Sequence, residues 1–274
     1  MLMSWEIGVS TGTFYPFKTM EEALGLIANE GFGVAELFVQ TPSEYTIIYG
    51  RRVLRMLLRT GLRIHSIHVN SNDLDPFSPY EPRCRDADRL FRQALELAHT
   101  TGTRVINWHG PRQDEIDSGL EPERIWDVVA RWHEWTEEAD VVLTLENVSS
   151  CMIRSAKNVQ QALAQLPNLH FTFDTFHAVE AGGSPLELLH AMRGRLAAIH
   201  VSDFNPYGGR HLVPGRGLMN WPILLRQLAK LRYGGPLIVE LSHLTDKTYS
   251  NALNESRGYL EEIIADLKLR VRPI

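Results

Sequence analysis

Cysteine is nearly absent. Cys84 and Cys151 are the only two in 274 residues. That excludes a disulfide framework and a four-cysteine zinc site, and it suits a reducing, cytoplasmic compartment. No stretch approaches the roughly 18 consecutive apolar residues that cross a bilayer, so no membrane span is expected. The start, Met1-Leu2-Met3-Ser4-Trp5-Glu6, has neither a basic segment nor a long apolar one, so no secretory signal is read there. Basic charge is not in excess: 28 Lys and Arg stand against 33 Asp and Glu, net −5. This argues against non-specific nucleic-acid binding as the main business of the chain. No Pro-, Gly- or Ser-rich linker divides it, and one domain over residues 1–274 is expected. The hydrophobic share of 44% and charged share of 22% are those of a globular protein, not of a disordered, collagenous or coiled-coil one.

What is present is alternation. Short apolar runs rich in β-branched and aromatic residues recur at 5–9, 34–39, 63–68, 104–109, 141–146, 169–174, 197–201 and 237–241. Each has the length of a strand rather than of a helix. Helix-period stretches separate them, at 20–30, 51–59, 85–99, 123–138, 159–166, 186–192, 222–231 and 251–267. In 51–59, for instance, Val53, Leu54, Leu57 and Leu58 make one stripe, and Arg51, Arg55 and Arg59 another. Gly31, Gly61, Gly102 and Gly194 follow helical stretches, where a C-cap is needed. Eight such alternations predict an α/β fold, a single (β/α)8 TIM barrel with its site at the C-terminal mouth. A doubly wound open sheet is the alternative, but no Gly-rich phosphate loop follows the first strand. The longest irregular pieces, 70–81, 110–121, 148–157 and 203–220, all follow strands and would share that mouth.

Parallel barrel strands are buried on both faces and should read as almost purely apolar. Several here break that rule with a regular parity. If Val141, Leu143 and Leu145 face the helices, Thr144 and Glu146 face into the barrel, because side chains alternate. The same logic turns Asn107 and His109, Thr172 and Asp174, His200, and Glu240 inward, and His68 closes the third strand. His177 and His211 lie just beyond strands six and seven. Carboxylates and imidazoles gathered in a barrel are unfavourable unless paired. No matching set of inward Lys or Arg is legible, so a divalent cation is expected, with zinc, manganese, iron or cobalt suited to mixed oxygen and imidazole donors. His65, His99, His133, His170, His190 and His243 form a background outside this pattern, and any one of the inward residues alone would suggest only structure.

These residues lie in stretches that resemble the xylose-isomerase-like barrel superfamily. The stretches are Leu145-Glu146-Asn147-Val148, Phe173-Asp174-Thr175-Phe176-His177-Ala178, His200-Val201-Ser202-Asp203, Pro214-Gly215-Arg216-Gly217 and Ile238-Val239-Glu240-Leu241. The resemblance runs over nearly the whole chain. In the sugar epimerases of that superfamily, Glu, Asp, His and Glu from strands five to eight hold one metal; Glu146, Asp174, His200 and Glu240 match them. The substrate-contacting histidine of the Asp-x-x-His motif matches His177. In the endonuclease IV branch further ligands hold a zinc cluster, and His68, His109, His177 and His211 fall at such positions, while an Asp of that branch is replaced by Gly209. The epimerases carry a further Glu after the strand-five ligand, and Met152 or Ile153 stands there instead.

The resemblance implies a metal-dependent isomerase or epimerase of a sugar, sugar phosphate or related polyol, using manganese or zinc first and cobalt, magnesium or iron otherwise. Glu146 and Glu240 would pass a proton through an enediolate, with His177 steadying a hydroxyl. Arg210 and Arg216 are candidates for a phosphate or carboxylate, and Phe14, Trp108 and Trp221 for an aromatic wall. The alternative is an endonuclease IV-like zinc phosphodiesterase acting on abasic sites, with the arginines of 51–63 and 83–92 as phosphate contacts. A barrel with a structural metal and no catalysis is the third reading. The expected partner is a small carbohydrate, not nucleic acid or membrane; a homo-oligomer is compatible with the sequence.

Overall fold

The eight apolar runs pair edge to edge. In this computed structural model, which describes residues 5–242, 244–245 and 248–267, strands β1 (Ile7–Ser10), β2 (Val34–Phe38), β3 (Arg63–His68), β4 (Val105–Trp108), β5 (Val142–Glu146), β6 (His170–Asp174) and β7 (Leu196–Val201) are followed by a hairpin, β8 (Asp203–Asn205) with β9 (Gly209–Leu212), and by β10 (Leu237–Val239). The hairpin stands apart, and the other eight close into a barrel in the order β1-β10-β7-β6-β5-β4-β3-β2. Every neighbouring pair in the barrel is parallel. This is the (β/α)8 barrel expected from the alternation. Residues 1–4 and His243 lie outside the described residues.

Helices α1 (Met20–Asn29), α2 (Ile47–Thr60), α3 (Glu81–Thr101), α4 (Gln113–Asp117), α5 (Pro122–Glu138), α6 (Ala156–Gln165), α7 (Thr175–Glu180), α8 (Pro185–Ala191), α9 (Trp221–Lys230) and α10 (Tyr249–Asp266) connect the strands. The short α4 and α7, like the hairpin, occupy connections that apolar periodicity leaves blank. Three helices, α2, α3 and α6, begin three or four residues earlier than their periodicity suggests, and polar caps start two of them. Thr46 accepts from the Tyr49 amide ahead of α2, and Ser155 from the Asn158 amide ahead of α6. Gly61 and Gly102 close α2 and α3 at φ of 73° and 71°, a left-handed conformation that disfavours any side chain. No helix among the described residues is long and apolar enough to cross a membrane.

The apolar core lies between barrel and helices. Phe91 of α3 stacks on Trp132 of α5 with ring centroids 4.2 Å apart, and Trp132 meets Trp108 of β4 at 4.6 Å. Inside the barrel the layer beneath the mouth is polar. Thr144 donates to or accepts from Thr172 at 2.8 Å and donates to Asn107 Oδ1 at 3.1 Å. The inward parity read from the strands is therefore the one the fold adopts.

One buried carboxylate shapes the rim after β7. Asp203 accepts from the Phe204, Gly215 and Met219 amides and from Trp221 Nε1, at 2.9, 2.9, 3.0 and 2.9 Å. It thereby ties the hairpin, the Pro214-Gly215-Arg216-Gly217 turn and the start of α9 together. A Cβ on Gly217 would overlap the Phe204 carbonyl and this carboxylate. Gly217→Ala is expected to lower stability by about 1–3 kcal/mol, the range for overpacking a filled site. Gly183→Ala, where a Cβ meets open space, should leave the melting temperature unchanged. Thermal melts of the two variants check this.

Candidate metal centre and active site

The C-terminal ends of β5, β6, β7 and β10 deliver Glu146, Asp174, His200 and Glu240 to one point. One donor atom from each lies within 4.8 Å of all the others. His200 Nδ1 is 3.1 Å from Glu146 Oε1, 3.0 Å from Glu240 Oε2 and 3.9 Å from Asp174 Oδ2. Asn147 clips the two neighbouring strands here: its side chain donates to the Asp174 carbonyl at 2.9 Å and accepts from the Asp174 amide at 2.8 Å. That explains why asparagine follows Glu146 in the sequence.

Glu146 turns its second oxygen to another set. His68 Nε2 and His109 Nε2 lie 3.4 and 3.6 Å from Glu146 Oε2 and 2.8 Å from each other. Asn107 Nδ2 donates to the same oxygen. His68, His109 and Glu146 therefore form a second group with metal-ligand spacing, sharing Glu146 with the first, and His68 and His200 form a third with Glu36 and Glu240. His177 and His211 enter no such group among the described residues. Their rings meet edge-on at 5.3 Å, and His211, at φ 43°, has its Nδ1 3.2 Å from Ser202 Oγ. A Cβ at Gly209 would come within 2.7 Å of the Leu212 side-chain end, which would have to turn aside.

The electrostatics follow from burial without cations. Burial alone would raise the Glu146 carboxyl, but His200 and His68 beside it hold it well below the usual range. Burial pushes His200 down, yet Glu36 and Glu146 outweigh it and raise the imidazole well above its ordinary value. Asp174, where burial dominates, is pushed up, and its Oδ2 is buried with no hydrogen-bond partner. His109 is pushed down to about 3 by burial and by His68. Among the described residues no Lys or Arg pairs with Glu146, Asp174 or Glu240, so three carboxylates, one imidazole and an orphaned oxygen fit a divalent cation.

Two participants escape a reading confined to strand ends. Glu36 sits in the middle of β2, between Ala35 and Leu37, fully buried, with its Oε2 2.9 Å from His200 Nε2. The signal was present, since Glu36 has inward parity in an otherwise apolar strand. Glu180, at the end of α7, binds His177 Nδ1 at 3.0 Å and Arg210 at 2.9 Å, and accepts from Ser149 Oγ. Arg210 also lies over the Phe176 ring, 5.0 Å from its centroid. It thus stands at the mouth, whereas Arg216 turns away to pair with Glu255 of α10. Trp108, Phe14 and Trp221 are buried and offer the mouth no open ring, although Trp108 also lines a small cavity beside Ser71, Asn72 and Arg112. Trp108 is core against Trp132, Phe14 packs on Tyr249, and Trp221 is held by Asp203. The aromatic rings that do meet the site histidines are Phe38, 4.5 Å from the His68 ring, and Phe176, 4.4 Å from that of His211. From His109 a groove of about 540 Å³ runs outward past Phe38, Asn70, Asn72, Arg112 and Arg154. Arg52 and Arg63 pair with Glu21 and Glu6, and Arg85 and Arg89 with Glu81 and Asp86 of their own helix, so these arginines form no tract along the mouth.

The family model of a xylose isomerase-like TIM barrel matches residues 24–263. An inosose dehydratase of Geobacillus kaustophilus is 22% identical over 81% of this chain and 80% of its own length. The solved structure of a D-tagatose 3-epimerase-like protein superposes with a TM-score of 0.80 at 19% identity, over 96% of this chain and 98% of that one. That of a D-allulose 3-epimerase from Methylomonas sp. in complex with D-allulose does so with 0.72 at 18%, over 98% and 100%. At such identities the structural likeness is one of fold.

The His177–Glu180 pair carries a pH signature. The hydrogen bond from His177, aided by Ser149 and Arg210, pulls Glu180 from 4.5 down to about 2. Burial lowers His177, but Glu180 and Asp174 raise it above 6.5. Glu180 thus contributes stability present above pH 4.5 and lost as pH falls toward about 2. His177 contributes stability present below pH 6.5 and lost as pH rises through its elevated value. The melting-temperature gap between the wild type and Glu180→Gln is therefore expected to be widest between pH 4.5 and 6.5 and to narrow on both sides, measured by thermal scans across buffers.

Proposed function

The chain belongs to the xylose isomerase-like TIM-barrel family, and we propose that within it the protein is a divalent-metal-dependent isomerase or epimerase of a sugar or related polyol. The observation that carries this reading is His200 Nδ1 facing Glu146, Asp174 and Glu240 at 3.0 to 3.9 Å, with no Lys or Arg among their partners in the described residues. A cation held by these four would polarise a substrate carbonyl and acidify the neighbouring C–H bond.

The protein's own groups would then handle the proton. Glu240 keeps a side-chain exposure of 15% and is held by His200, so it can reach a substrate carbon. Glu146, buried and fixed by Asn107 and His200, is the second carboxylate of the pair. At both carboxylates the neighbouring imidazoles, His200 first and His68 with it, together override burial and favour the ionised form. One would take the proton and the other return it, as acid–base catalysis by two groups requires. His177 gives its Nδ1 to Glu180, which leaves its Nε2 for a substrate hydroxyl. The groove beyond His109 offers amides and hydroxyls to the rest of a polyol. An inosose dehydratase among the relatives is compatible with the same opening step, since dehydration next to a carbonyl also begins by removing that proton.

A phosphodiesterase is the second reading, and the His68, His109 and Glu146 Oε2 group favours it, because a second cation there would make a two-metal site. Against it stand the lack of a carboxylate at Gly209 and the pairing of Arg52, Arg63, Arg85 and Arg89 with neighbouring carboxylates.

Protein loaded with manganese or zinc and incubated with D-allulose, D-tagatose or an inosose in heavy water is expected to place deuterium on the carbon beside the carbonyl. Chelation should abolish this, and Glu240→Gln should slow it about 10²-fold or more. Absence of deuterium in every such substrate overturns the proposal. Elemental analysis of the same preparation separates the readings: one equivalent of metal supports the isomerase and two support the phosphodiesterase.

A further inference from the structure

Glu36 stands behind both histidines. Its Oε2 is 2.9 Å from His200 Nε2, and its Oε1 is 3.7 Å from His68 Nδ1. The opposite ring nitrogens point the other way. His200 Nδ1 lies 3.1 Å from Glu146 Oε1, and His68 Nε2 lies 3.4 Å from Glu146 Oε2. Two carboxylates and two imidazoles thus close a ring, with Glu146 facing the mouth and Glu36 facing the barrel interior. Ser66 Oγ donates to Glu36 Oε2 at 2.7 Å, and burial, which alone would raise the Glu36 carboxyl, is overridden by His200 and His68.

A neutral imidazole keeps one proton, and the nitrogen that carries it cannot be a ligand. At His200 carboxylates face both nitrogens. Glu146 and Glu240, both beside Nδ1, would themselves draw the proton there. Glu36 is the one carboxylate that holds it on Nε2. At His68 the same carboxylate faces Nδ1, although at 3.7 Å this arm is not a hydrogen bond, and His68 Nδ1 and Glu36 Oε1 are both buried without a partner. We infer that Glu36 is the positioning residue of the centre: one buried carboxylate that sets the tautomer of His200, so that this ring presents its Nδ1 lone pair toward Glu146 and Glu240. The purpose of this arrangement rests on the metal-dependent reading above; the tautomer itself does not.

The test uses the full chain labelled with ¹⁵N-histidine, free of metal and at a pH where His200 is neutral. Long-range ¹H–¹⁵N spectra are expected to show the His200 proton on Nε2 in the wild type and moved to Nδ1 in Glu36→Leu. Glu36→Gln, of the same shape and without the charge, serves if the leucine variant fails to fold and should shift the same way in part. Zinc titrated against a competing chelator should bind about 10–100-fold more weakly to either variant, the usual effect of losing a carboxylate that orients a ligating histidine. Thr136→Val, which removes a buried hydroxyl on α5 that donates to the His133 carbonyl, should leave zinc affinity unchanged, whereas a merely structural role for Glu36 would lower it no more than this control does. A His200 proton already on Nδ1 in the wild type, or one that stays on Nε2 in both variants, overturns the inference. So does zinc affinity that survives both substitutions. If the wild type binds neither zinc nor manganese, the metal-dependent reading fails, and the tautomer shift alone then decides the role of Glu36.

Discussion

Glu146 is a carboxylate taken out of water in the centre of a barrel, and most of the rim is arranged around its charge. Removing such a group from solvent costs several kcal/mol unless neighbours restore what water supplied. Here the neighbours are not lysines or arginines. They are His200 on one oxygen and His68, His109 and Asn107 on the other. An imidazole differs from an ammonium or guanidinium in that it can give up its charge and become a donor to a cation. A centre compensated by histidine is thus convertible from an ion-paired state to a ligating one without moving the backbone, whereas a lysine in the same place would block it.

The remaining groups divide by distance from that carboxylate. Asn147 and the Thr144–Thr172 contact fix the strands that carry Glu146 and Asp174. Asp203, with its four donors, fixes the loop that follows His200. Farther out, Ser149, His177 and Arg210 converge on Glu180 from three separate connections. The pattern is of a polar interior held by hydrogen bonds and a rim assembled from loops, an arrangement in which the loops can vary while the buried carboxylates stay in place. It agrees with relatives and neighbours named as sugar epimerases and a dehydratase.

Much of this was legible before any coordinates. The eight strands, the closed α/β barrel and the inward parity of Asn107, Thr144, Glu146, Thr172, Asp174 and His200 follow from local periodicity, and the barrel contains them as read. Glu36 obeys the same parity, but it lies in mid-strand, where one inward polar residue does not by itself mark a site. Trp108 and Trp221 looked like walls for a sugar because aromatic residues near strand ends suit either role; only packing against Trp132 and the hydrogen bond to Asp203 separate the two. The hairpin of β8 and β9 carries too few apolar residues to signal itself.

The sequence by itself determined which residues face inward and at what height on each strand, because alternation is a property of the strand backbone alone. Only the tertiary structure decided which inward residues meet across the barrel. Glu36 and His200 come from β2 and β7, which are not neighbours in the closed sheet, and their 2.9 Å contact exists only because the barrel is closed and its strands are staggered. The same holds for the two faces of Glu146. Nothing local tells a carboxylate which of its oxygens will meet which histidine; that is settled by the order of the strands and the register in which they pair.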